Sequence, residues 1–467
     1  MIEAKLIWTP YPYLAGFCIS DDADCATLEQ VKSVYDFLME YNFPTTKSVW
    51  PFIPTYKCGS PPTPESTLRG ITLENKSYLR YCEKLSSKGY EICLHGASAG
   101  NNQRDSIREA LDYCRHHFGS TNTYICHSKN ADNIYWEHKV TARFPFHLAL
   151  KMYSKHSCSG EIPDSQFFWG DLCSSSVKQI RLFKTRHIDT LSRNPSMPYH
   201  DPKKPLVNSW FSATKRKLAD CASPHAIYRL KQNNGLTILY QYLHRYADPS
   251  THEVQDSFRT SIIRLRNDPG MYIDTVSNIL NRLRQLQDIF IFYRNYQFYV
   301  INIGTQWIKN LQILLSSQKT ILDPKENTHA KQIKNRLFIQ EILPESMTYF
   351  QLMQPITFRR NRRCFPFRKR RLALKQPFGR LYINLTKSRC SLDDRILPPF
   401  SFQVAETKKT LSGMPIRSVL SSKEEYRLLI DQFWLILREI LLLKRHINID
   451  KYLDISKPIA LEDHENW

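Results

Sequence analysis

Two adjacent carboxylates, Asp21 and Asp22, follow the apolar run from Leu14 to Ile19. Two histidines end later runs in the same way: His95 after Tyr90-Glu91-Ile92-Cys93-Leu94, and His127 after Tyr124-Ile125-Cys126. An acid and two imidazoles form a ligand set for zinc or another divalent transition ion, leaving coordination positions for water and substrate. Singly, each histidine has an ordinary structural reading, and Asp22 or Asp24 could instead cap the helix that follows. What joins them is a shared position at the C-terminal end of a strand. In a parallel barrel those ends converge on one rim.

The elements that must hold these residues alternate along the chain. Leu28, Val31, Tyr35 and Leu38 mark a helix after the first strand, and 43–51 reads as a second strand. Helices are predicted over 77–87 and over 105–117, the latter closed by Gly119. A late strand, Leu236 to Leu243, ends in His244, and a helix over 275–286 follows. Such alternation predicts an α/β fold built as a (β/α) barrel.

Residues 14 to about 285 resemble the polysaccharide deacetylase superfamily, carbohydrate esterase family 4, in a chitooligosaccharide deacetylase-like form. Its distorted (β/α) barrel begins with a strand ending in Asp-Asp. The resemblance implies that Asp21 is the catalytic base and Asp22 a metal ligand, with zinc the expected cofactor. His95 matches the first histidine of the family's H-x-x-x-H motif, but the second position is Ala99. His127 is therefore our candidate for the missing ligand. Arg143-Phe144-Pro145 is a short match to the arginine-x-proline motif, and 167–171 resembles a later aromatic-acid element. Trp169 is then either a platform for a sugar face or core packing, and Asp171 either orients a catalytic partner or sits in a surface turn. Tyr199 lies in a proline-rich loop, 194–202, that could cover the sugar. His244 matches the family's general acid. The implied activity is removal of N-acetyl groups from an amino sugar or glycan. The alternatives are a catalytically degenerate barrel acting in glycan binding or assembly, and a nucleic-acid-associated basic protein.

The whole chain fits this frame. Its 467 residues exceed one ordinary domain, and 42% hydrophobic with 12% aromatic residues excludes wholesale disorder. Only 14 glycines, with no GxGxxG or Walker sequence, argue against a glycine-rich nucleotide site. We divide the chain into a barrel (1–287), a small β-sandwich-like module (288–355) with a hairpin about Arg294-Asn295, a basic linker (356–420) and a C-terminal amphipathic helix and tail (421–467). The twelve cysteines form no CxxC pair and are expected reduced and buried. A net charge of +21 and the run Arg359 to Arg371 suit nucleic acid or an anionic surface, or else a solvated linker. The apolar helix after Ser422-Lys423-Glu424-Glu425 needs cover, from its own chain, an oligomer or a partner protein. Met1 to Leu6 has no signal-peptide pattern and no apolar run reaches about 18 residues, so the expected location is cytoplasmic.

Overall fold

The computed structural model describes residues 2–54, 70–127, 130–153, 158–294, 297–302, 304–315, 330–344, 346–351, 356–358, 370–376, 379–386, 389–390 and 422–444. The first strand, β1 (Ile2–Ile7), stands outside the barrel. Seven strands close on themselves in parallel: β2 (Ala15–Asp21), β3 (Thr46–Val49), β4 (Glu91–Leu94), β5 (Thr123–Tyr124), β6 (Gln179–Thr185), β7 (Trp210–Thr214) and β8 (Leu236–Gln241). β8 pairs back onto β2, and β9 (Met271–Ile273) adds to β2's other pairings. The fold is a (β/α) barrel.

Side chains alternate along each strand, so one set faces the helices and the other the lumen. On β2, Phe17 and Ile19 join the core shared with helix Leu28–Glu40, whereas Cys18 and Ser20 pair across to Ile238 and Tyr240 of β8. The floor of the lumen is polar and fully tied. Glu91 accepts hydrogen bonds from the Thr46 hydroxyl (2.6 Å), the Thr123 hydroxyl (2.6 Å) and the Ser277 amide (3.0 Å). Ser277 opens helix Val276–Gln287, which Thr275 caps, so this helix closes the bottom of the barrel.

Beyond the barrel, β10 (Ile289–Arg294) and β11 (Gln297–Asn302) form the expected hairpin, with its two turn residues outside the described set. β12 (Ile308–Leu315), β13 (Ala330–Ile333) and β14 (Arg336–Ile342) join β1 in an antiparallel arrangement that β16 (Ile356–Phe358) extends in parallel to β1. β15 (Ser346–Gln351) completes a second sheet with β10 and β11. A separate sheet holds β17 (Arg370–Gln376), β18 (Gly379–Thr386) and β19 (Arg389–Cys390). Most of the basic run, 359–369, lies outside the described residues.

The first turns of the C-terminal helix, Ser422–Lys444, are covered by this chain. Leu428 and Leu429 are buried against the barrel, and Asp431 takes hydrogen bonds from Thr185 (2.8 Å) and Arg193 (2.7 Å) at the C-terminal end of β6. Its first-turn acids reach across as well, Glu424 to the Ser196 hydroxyl (2.8 Å) and Glu425 to Arg143 (2.5 Å). Among the described residues, no helix is long and apolar enough to cross a membrane. Nine described cysteines are free, and of these only Cys25 is exposed.

Candidate metal centre at the barrel mouth

The ends of β2, β4 and β5 meet at the mouth. His95 follows β4 directly, and Gly96 turns the chain away with φ 105°, a left-handed conformation that suits a residue without Cβ. The indole of Trp50, just past β3, stacks on the His95 ring at 5.4 Å and donates to its carbonyl (3.0 Å). His127 stands edge-on to His95 with ring centroids 5.3 Å apart. Both imidazoles are oriented from behind. His95 Nδ1 lies 2.8 Å from the Ile125 carbonyl oxygen and His127 Nδ1 lies 2.9 Å from Asn130 Oδ1. Each acceptor fixes the proton on Nδ1, which turns the Nε2 lone pair toward the mouth.

Two carboxylates complete the cluster. His95 Nε2 is 2.9 Å from Asp22 Oδ1 and 3.4 Å from Asp24 Oδ1, and His127 Nε2 is 3.6 Å from Asp24 Oδ1. Asp24, His95 and His127 each place a donor atom within 4.8 Å of the others. Donors about 2.1 Å from one ion and about 90–110° apart are about 3.0–3.4 Å from one another, so this spacing suits a shared divalent ion. Asp24 Oδ1 is buried with no hydrogen-bond donor of its own, and His95 Nε2 faces only the two carboxylates, as suits atoms that could share a cation. The residues fit the group.

Asp24 is the cluster member that the sequence offered only as a possible helix cap. The cap is Thr27, whose hydroxyl accepts from the Gln30 amide. Asp22 is anchored from its far side by the Tyr240 hydroxyl (2.5 Å), which in turn bonds the Tyr242 hydroxyl (2.8 Å). Burial works against its charge, but the facing charges of His95 and Arg181 hold Asp22 well below the usual carboxylate range.

Asp21 lies apart from this cluster. One residue before Asp22, it takes the opposite face of β2 and meets the helical layer. Its Oδ2 accepts from Tyr35 (2.8 Å) and Lys47 (3.0 Å), and its Oδ1 from the Leu243 amide (2.8 Å). Lys47 sits over the rings of Tyr35 and Tyr78, both on helices. The expected base is thus a buried ion pair behind the barrel wall. Ala99, in the second motif position, packs with Ala23 and Trp50, and His127 occupies the space beside His95 instead.

The other expected site residues are placed as follows. Trp169 is fully buried, packs on Tyr124 and donates to the Asp132 carbonyl (2.6 Å), so its ring offers no face to a sugar. It braces the loop after His127. Asp132 in the same loop accepts from the Asn102 amide (2.9 Å), joining this loop to the one after His95, and burial raises its pKa to about 6. Asp171 is a surface residue, paired through both oxygens with Arg104 at 2.6 Å. Tyr199 is a buried core residue bridged to Trp210. Arg143 is engaged by Glu425 on the C-terminal helix. His244 lies in the short turn Leu243–Tyr246 after β8, buried, with Nδ1 unpartnered and its pKa lowered by burial.

No family model matches the sequence, and no curated protein matches it. Among solved structures the chain is similar to an allantoinase (9% identity, TM-score 0.32, covering 59% of this chain and 92% of that one). It is also similar to a probable polysaccharide deacetylase from Pseudomonas aeruginosa PAO1 (10%, 0.31, 58% and 90%). A third is a family 4 acetyl xylan esterase from Clostridium thermocellum in complex with a cobalt ion (14%, 0.28, 58% and 91%). The protein is a (β/α) barrel with a carboxylate and imidazole cluster at its mouth.

The cluster's protonation makes a pH prediction. In the metal-free protein, burial disfavours the His95 cation, but Asp22 and Asp24 outweigh it and raise the pKa to about 10. Burial and the neighbouring His95 lower that of His127, which is therefore already neutral at pH 7. An entering cation must displace the His95 proton alone. Apparent affinity is expected to rise about tenfold per pH unit from pH 7 to 9, with one proton released per ion, as read by titration calorimetry in two buffers. A flat profile would mean His95 is no ligand.

Proposed function

We propose that this chain is a metal-dependent hydrolase that removes an N-acyl group, with the N-acetyl group of an amino sugar or glycan as the intended substrate. The observation that carries the reading is the convergence of Asp22, Asp24, His95 and His127 at the mouth, with each imidazole held through Nδ1 by an oxygen behind it so that Nε2 faces the cluster. Asp24, His95 and His127, whose donor atoms lie within 4.8 Å of one another, would hold the ion, with Asp22 beside them at 2.9 Å from His95 Nε2. Bound there, a divalent ion would supply a Lewis acid for the amide carbonyl and lower the pKa of water toward ~7.

The chain's own groups do the rest. Asp24, whose side chain is 19% exposed, is the cluster member solvent reaches, and the oxygen it does not turn to the histidines would take up the proton of the attacking water. It replaces Asp21 in that duty, because Asp21 is turned to the helices. His244 is neutral near pH 7, so it must first receive a proton before passing it to the departing amine. An open cavity of about 510 Å³ beside the Asp24 turn, lined by Cys25, Thr27, Glu29, Gly70, Ile71 and Asn75, offers a place for the rest of the substrate.

The test is metal removal. Dialysis against chelator is expected to abolish acetate release from N-acetylated amino-sugar oligomers, and zinc or cobalt to restore it. Release that survives chelation overturns the metal role. No release from the metal-loaded protein across N-acetyl substrates makes the barrel a non-catalytic binding or assembly protein.

A further inference from the structure

The lumen beneath the metal cluster contains a buried cation whose N–H edge meets no carboxylate among the described residues. Arg181 comes from the middle of β6 and is 1% exposed. Its guanidinium lies over the Tyr240 ring, 3.9 Å from the centroid, and that ring's hydroxyl is the one bonded to Asp22. Arg181 is therefore one tyrosine away from the cluster. Its Nε and Nη1 are buried with no hydrogen-bond partner, and among the described residues no carboxylate lies within 4.0 Å of it. The floor carboxylate, Glu91, is taken up by Thr46, Thr123 and Ser277.

Stacking satisfies the face of a guanidinium but leaves its N–H edge in the ring plane, so Tyr240 does not account for those donors. Two further donors are left open in the same lumen. Ser20, whose register partner is Tyr240, and Ser48, whose partner is Cys93, both have buried hydroxyls without partners. Leaving one such group unmade is costly, and here a guanidinium and two hydroxyls on β6, β2 and β3 share that condition.

Charge selects the kind of acceptor. Asp22, the acid on the far side of the Tyr240 ring, is engaged by His95 and by the Tyr240 hydroxyl, so it does not reach the N–H edge of the guanidinium. Water could meet the hydrogen bonds but not the charge. We infer that Arg181, with Ser20 and Ser48, forms a carboxylate-binding subsite in the lumen beneath the metal centre. This deepens the hydrolase reading and rests on it for the ligand's origin: either the acid released by amide hydrolysis or a second carboxylate carried by the substrate's acyl group.

The test uses the full chain, with and without zinc, and reads thermal midpoints with acetate, succinate or sodium chloride at matched ionic strength. At roughly ten times Kd, a carboxylate is expected to raise the wild-type midpoint by about 2–4 °C beyond chloride. Acetate acting as well as succinate identifies the released acid; succinate acting at lower concentration identifies a second carboxylate. Arg181→Met removes an unpartnered buried charge, so it should fold at least as stably, and it should lose the shift. Ser48→Ala should weaken it. A shift kept in Arg181→Met, or none in wild type, overturns the subsite. Metal content is measured on the same samples: Arg181-dependent carboxylate binding by a protein that takes up no ion would end the hydrolase reading and leave this one standing.

Discussion

A His95→Ala protein is expected to lose its divalent ion on purification and to hydrolyse no N-acetyl substrate above background. His95 sits at the centre of the cluster, with its Nε2 within 2.9 Å of Asp22 and 3.4 Å of Asp24, so its removal takes away a ligand and separates the remaining donors. Affinity should fall on the order of a thousandfold or more. That exceeds the roughly 10–100-fold typical of losing a partner that only orients a ligand. Asn130→Ala supplies that lesser case, because Asn130 fixes the His127 tautomer without reaching the mouth. Metal content by plasma mass spectrometry and affinity by chelator competition read both variants. A His95→Ala protein that binds zinc like wild type would remove the metal centre, and equal losses in both variants would mean a general collapse of the mouth.

The parts of this site visible in the sequence are those where local pattern and final position coincide. An apolar run that stops at a polar residue marks a buried strand and its end together, and β2, β4 and β5 are such runs, so Asp22, His95 and His127 could be named. Helix Arg104–Phe118 and its Gly119 cap were equally readable. β6 was not. Its lumen side carries Gln179 and Arg181 and its end Lys184, so polar residues interrupt a strand that the barrel nevertheless buries, and with the strand went Arg181. Asp24 was hidden for the opposite reason, since an aspartate before a helix has a ready local explanation that Thr27 in fact supplies. β1 reads as part of the barrel because it precedes β2, but its partners are β12 and β16, some three hundred residues later. No local periodicity encodes that pairing.

Asp21 provides the sharpest separation between the sequence pattern and the structure. A catalytic base removed conservatively leaves a folded, inactive protein. A buried ion pair broken on one side leaves a charge without compensation, which typically costs about 3–5 kcal/mol. Asp21 accepts three hydrogen bonds in a site 1% exposed, and the one from Lys47 brings a cation equally buried. Asp21→Ala is therefore expected to lower stability by about that amount, and Lys47→Met to do likewise because it strands the carboxylate. The double variant should recover much of either loss, since no unpaired charge remains, and a double-mutant cycle in denaturant should show coupling well above the roughly 0–1 kcal/mol of a surface pair. Molecules of the single variants that remain folded should still bind one ion, because Asp22, Asp24, His95 and His127 lie on the other face of the barrel wall. A fully stable Asp21→Ala protein that binds metal yet has lost hydrolysis would return the base to Asp21 and require its side chain to reach the mouth when substrate binds.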